Sequence, residues 1–325
     1  MKKREVFGII ISFIVIAASV TVFLNRVYIK DFFSAMSYEE PERIKAIEES
    51  LNLTDRASLM LRASHPSLES EQKFNQNCDS HSQDVSTLGC YANNYIYVYD
   101  INHEALDGIV ESTMAHELLH AAWQRLDGAE KETIKKLLKD VYENSEYREE
   151  LLSDLKNYPS EDLVEELHSR IGTEFKKLPD ELETYYAKYF KDQDKIVDFY
   201  EKYKSEFKKL EAERKEIEEK LKELKNEIEV LTAQYKSDSS ALVAEITEFN
   251  ECANQPGCFS ANGYFYEKRA ELLERKAKIN ELYEKIVNFI AEYNNLVEKY
   301  DQNVLKNNEL FDVMNSNVEK NSLIK

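Results

Sequence analysis

The sequence predicts a mostly helical α+β chain in three parts: an N-terminal transmembrane helix, a mixed domain, and a long antiparallel coiled-coil helical hairpin. Three observations carry that prediction. The 325 residues hold only 7 Gly and 5 Pro, and Glu, Lys and Leu dominate the second half, which is the composition of long helices. A run of nineteen uncharged residues, Val6–Leu24, stands near the start. The stretch Tyr91–Ile101 alternates aromatic and β-branched residues at period two and reads as a strand. The expected boundaries are 1–26 for a basic tip and membrane helix, 27–190 for the mixed domain and 191–325 for the hairpin.

The first part begins Met1-Lys2-Lys3-Arg4 and continues VFGIIISFIVIAASVTVFL. A helix of that length spans about 28 Å, close to a bilayer core. The bulky segment Leu24–Tyr28 that follows fits a signal anchor. Basic residues favour the cytoplasmic side, so Lys2, Lys3 and Arg4 are expected inside and the bulk of the chain outside, in a single-pass protein of the cell membrane. A cleaved signal peptide is the rival, with Ala17-Ala18-Ser19 as the small-residue site. The net charge of -19 excludes nucleic acid as a partner, because phosphate binding needs a basic surface. It fits a soluble surface, and the lipid bilayer is expected as the partner of the N-terminal helix alone.

In the mixed domain, Pro41 is expected to open a helix with Ile44, Ile47 and Leu51 along it, and Glu39, Glu40 and Glu42 near its positive end. Ser58–Ala63 reads as a short strand ended by Pro66, and residues 75–90 as a polar loop. The helix after Ile101 is expected to begin between Ala105 and Glu111. Residues 127–190 read as three or more helices broken at Pro159 and Pro179, with Ser160 and Asp180 near the new starts. Cys78, Cys90, Cys252 and Cys258 should be oxidised outside the membrane. Three connectivities are open. Local pairing is expected, since each close pair brackets a loop-like segment; a zinc site of all four cysteines lacks the CxxC spacing.

The hairpin is read from two heptad seams. Leu210, Ile217, Leu221, Leu224, Ile228, Leu231 and Tyr235 form the first; Ile279, Leu282, Ile286, Phe289, Tyr293, Leu296 and Tyr300 form the second. Between them lies a turn near 251–263 with Pro256, Gly257, Gly263 and the second cysteine pair. Arms of about 50 residues would reach about 75 Å. The alternative is that each arm pairs with another chain.

The chemistry is concentrated in ESTMAHELLHAAW, Glu111–Trp123. A spacing of four puts His116 and His120 on one helix face, one turn apart. Both imidazoles can then bind one Zn2+. Glu117, one step round the helix, can reach a metal-bound water as general base. A charged Glu on an otherwise apolar helix is costly to bury unless it is used. The remaining histidines His65, His81 and His103 read as exposed loop residues, and Tyr185 and Tyr186 as core.

On the residues His116-Glu117-Leu118-Leu119-His120 and the strand before them, the sequence resembles the zincin metallopeptidases. The residues after His120, AAWQRLDGAE, lack the Gly and His of the metzincin continuation. The resemblance is therefore to gluzincin-like families, in which a Glu on a second helix completes the site. It implies a third ligand in VEELHSRIGTEF, where Glu166 is the expected residue and His168 and Glu174 are the rivals. Ser169 would let that helix pack closely on the first. With Glu166 as ligand, His168 is expected to stabilise the oxyanion.

The resemblance implies a membrane-anchored extracytoplasmic zinc metallopeptidase acting on peptides or proteins. The competing reading is a non-catalytic envelope interaction or scaffold protein, which would bind a protein partner through the coiled-coil hairpin.

Overall fold

The computed structural model describes residues 3–78, 88–144, 163–259 and 262–315. Pro159, Ser160 and His81, singled out above, lie outside the described residues. The uncharged run falls within helix α1 (Lys3–Leu24), followed by α2 (Arg26–Met36) and α3 (Glu42–Leu51). Pro41 caps α3, and Ile44, Ile47 and Leu51 are buried along it. Among the described residues no single helix is long and apolar enough to cross a membrane. Ser12–Leu24 and Arg26–Met36 pass that test together, bent by 68°.

Ser58–Ala63 is helical, not extended. It lies in α4 (Asp55–Ala63), whose start is fixed by Thr54: its Oγ1 accepts the Ala57 amide at 3.3 Å. Ala57, Met60 and Leu61 then fall on one buried face at helical spacing.

A three-stranded sheet follows, built from β1 (Ser67–Glu69), β2 (Gly89–Ala92) and β3 (Tyr95–Tyr99), with α5 (Glu71–Asn77) between β1 and β2. β3 is central, parallel to β1 and antiparallel to β2. Its Ile96 and Val98 are buried, as the alternation requires. The expected continuous strand Tyr91–Ile101 is instead a hairpin. Asn93 and Asn94 both adopt positive φ, 55° and 69°, which is the tight two-residue turn that matches strand twist. Tyr91 and Ala92 therefore belong to β2.

Helix α6 (Ile109–Arg125) is the centre of the domain, with β2 and β3 on one side and α8 (Leu163–Glu174) on another. Met114, Ala115, Leu118, Leu119, Ala121 and Ala122 are all buried on it. Gly172 is what lets α8 approach. A Cβ there would lie 2.5 Å from both Leu119 Cδ1 and Tyr186 Cε1. Ser169, expected to do this, is buried too, and its hydroxyl bonds back to the Glu165 carbonyl. Among the described residues the domain also contains α7 (Gly128–Asn144) and α9 (Asp180–Tyr186), with Pro179 capping α9.

The chain divides into two units, residues 1–206 with 310–325, and residues 207–309. The first turns of α10 (Gln193–Ala253) belong to the first unit, where Ile196, Val197, Tyr200 and Tyr203 are buried. Gln193 anchors that end by donating to the carbonyls of Gly172 and Phe175.

The second unit is the hairpin of α10 and α11 (Asn262–Met314). Its contacts run in opposite directions along the two arms: Leu210 with Asn303, Glu218 with Tyr300, Tyr235 with Tyr283, Glu245 with Arg275. That order makes the arms antiparallel. The residues of both seams are buried or half-buried, as two helices alone can cover only one stripe of each other. Cys252 pairs with Cys258 at the turn, and Cys78 with Cys90 beside β2, so the local connectivity holds.

Candidate metal centre

His116 and His120 stack one turn apart on α6, ring centroids 4.9 Å apart, with their Nε2 atoms at 3.1 Å. The first turn of α8 brings Glu166 to them. Its Oε2 lies 3.7 Å from His116 Nε2 and 3.5 Å from His120 Nε2. These ligand atoms all fall within 4.8 Å of one another, so the group could hold a metal ion. Two imidazole nitrogens and a carboxylate oxygen are a donor set that zinc accepts. The three expected ligands are thus brought together from two helices that Gly172 allows into contact.

Glu165 was not singled out from the sequence. Its Oε1 lies 3.1 Å from His120 Nδ1, and Gln124 Nε2 donates to both of its oxygens at 2.9 and 3.2 Å. Holding the Nδ1 proton turns the Nε2 lone pair towards the shared centre. No motif marks such a residue; only the folded contact does. Glu165→Ala is expected to weaken metal affinity by about 10–100-fold, read by competition with a chromophoric chelator. An unchanged affinity would mean that the carboxylate leaves His120 indifferent.

Charge in this group is set by its neighbours against the effect of burial. For His120, burial opposes the proton, but hydrogen bonds that the ring donates to Glu165 and Glu166 outweigh it and hold the pKa up to about 10. For Glu166, burial opposes the charge, and the two histidines nonetheless keep the carboxyl well below its ordinary range. A metal ion would therefore displace a proton on binding.

Glu117 is buried, and burial raises its carboxyl above the ordinary value against the pull of His120 and His116. It faces β2. A Cβ on Gly89 would lie 2.8 Å from both Cγ and Oε1 of Glu117, so only glycine lets the strand pass this close. An isolated Gly beside a strand signal is the mark by which Gly89 could have been found.

The two rival ligands lie elsewhere. Glu174 accepts from Arg170 Nε at 2.9 Å. His168 is fully buried, with its ring 5.2 Å from Trp123 and its Nε2 bonded to the Tyr185 hydroxyl at 2.8 Å. Burial first, then the neighbouring His120 and His116, lowers its pKa to about 3. A side chain with no exposed surface meets no substrate here, so the structure gives His168 a place in the core and not at an oxyanion. Tyr185 and Tyr186 are core residues, as expected.

His65 and His103 are half-buried and take structural parts. His65 Nε2 lies 3.0 Å from the Ser34 carbonyl, and His103 Nδ1 accepts the Ala105 amide at 3.3 Å. No protein-family model matches the chain, and no curated protein and no solved structure matches it.

Proposed function

We propose that this chain is a membrane-anchored, extracytoplasmic zinc metallopeptidase. One observation carries the reading: His116, His120 and Glu166 converge on one point, and the buried Glu117 stands on the same helix as the two histidines. His116, His120 and Glu166 would hold the zinc, which when bound would supply Lewis acidity towards a carbonyl and water. Glu117 takes the proton of the attacking water and passes it to the leaving amine. Glu165 keeps His120 in the orientation that binds.

β2 supports a peptide substrate. It is an edge strand among the described residues and runs against Glu117 through Gly89. An extended peptide could pair with that edge, main chain to main chain. The two disulfides support an oxidising compartment, and the uncharged Val6–Leu24 segment within α1 supports the anchor.

The test is metal content of the full chain in detergent, beside His116→Ala. About one zinc per chain is expected for the unsubstituted protein and near none for the variant. Because His120 holds its proton up to about 10, zinc uptake at neutral pH should release protons, and affinity should fall as pH is lowered. No zinc in either protein, even after zinc is added, would overturn the reading.

A further inference from the structure

Helix α2 is built inside out for a helix on a water-facing surface. Its inward face is polar. Asp31 is buried against Arg125 of α6, and the Ser34 hydroxyl donates to the Ala63 carbonyl at 2.8 Å. Its outward face carries the exposed Phe32, Phe33 and Met36, and the half-buried Ile29 falls in line with them at the spacing i, i+3, i+4, i+7. Phe33 and Met36 are 66% and 70% exposed, values that water disfavours for neighbouring large side chains. A soluble helix would present the reverse pattern.

Two further observations identify what covers the stripe. The helix continues directly from α1, whose described part, Ser12–Leu24, is apolar and exposed, and the axis bends by 68° between them. Such a bend turns α2 most of the way from the bilayer normal towards its plane. Arg26 and Lys30 are exposed on one border of the stripe, in a chain whose net charge is -19. Local cations beside an apolar aromatic stripe are the composition of helices that lie at the headgroup boundary.

We propose that α2 is an interfacial helix, with Phe32, Phe33 and Met36 immersed at the headgroup–acyl boundary of the bilayer. The Asp31–Arg125 pair then fixes the domain onto the membrane surface through the helix that carries His116 and His120. The proposal rests on the membrane reading above but is separable from it.

The test uses the full chain in vesicles of phosphatidylcholine and phosphatidylglycerol. All four native cysteines are paired, so a nitroxide can be placed on Phe33→Cys or Met36→Cys, both at exposed positions, and on Val15→Cys in α1. Collision with oxygen and with a polar nickel complex reports depth. Labels at 33 and 36 that lose collision with nickel and gain it with oxygen support the proposal. The same labels colliding freely with nickel overturn it, and so do labels shielded from both reagents, which would indicate a protein partner or a second copy. The label at 15 decides separately whether α1 is in the bilayer. A lipid-exposed 15 with a water-exposed 33 removes the interfacial helix and leaves the anchor. A water-exposed 15 with a lipid-exposed 33 does the opposite.

Discussion

Glu117→Gln should keep its metal and lose hydrolysis, by about 10²–10⁴-fold in kcat, the usual contribution of a positioned general base. Glutamine preserves the shape beside Gly89, where the strand leaves no spare room, so the fold should be undisturbed. It removes only the ability to take a proton. The buried setting sharpens the prediction. Burial raises the Glu117 carboxyl, and a base must be deprotonated to act, so the acid limb of the pH–rate profile belongs to a carboxyl above its ordinary value. Steady-state kinetics on a peptide library, with zinc content measured alongside, provides the check. A variant that holds zinc and still turns over at the parent rate would remove Glu117 from the mechanism.

Arg125→Met should be strongly destabilising although it lies outside the metal centre. Arg125 Nε and Nη2 donate to the Asp31 carboxylate at 2.9–3.1 Å, Nη1 donates to the Tyr91 hydroxyl and the Ala121 carbonyl, and both members of the ion pair are largely buried. One side chain thus ties α2, α6 and β2 together. Removing it leaves a buried carboxylate without its cation, which costs about 3–5 kcal/mol. Adding Asp31→Leu should recover a large part of that loss, because an apolar pair of similar volume carries no desolvation penalty. Urea midpoints of the full chain in detergent, for both singles and the double, close the cycle. A loss below about 1 kcal/mol for Arg125→Met would mean the pair behaves as a solvated surface bridge.

The parts of this protein that could be read from its sequence are those set by periodicity. The two heptad seams, the alternation of Ile96 and Val98, and the four-residue spacing of His116 and His120 each mark a face of one element, and each face is where the spacing puts it. Glu166 could be named only through the gluzincin resemblance, which implies a Glu on a second helix; the fold then brings it to His116 and His120. What could not be read depends on which elements meet. Glu165 matters through a contact with His120, and Gly172 through a contact with Leu119 and Tyr186.

Ser58–Ala63 reads as a strand and folds as a helix for a different reason. Short apolar runs fit either period, and the deciding feature was the Thr54 cap just upstream. The Tyr91–Ile101 run hid a turn, because two asparagines supplied the positive φ that glycine usually provides. His168 beside Glu166 invited a chemical role that its full burial withdraws.

The Cys252–Cys258 bridge closes a loop of only six residues' separation around the exposed turn Asn254-Gln255-Pro256-Gly257. Exposed turn tips are where proteases cut first. A cut here would sever the backbone and leave the arms covalently joined, so the clipped protein would migrate as one species without reductant and as two with it.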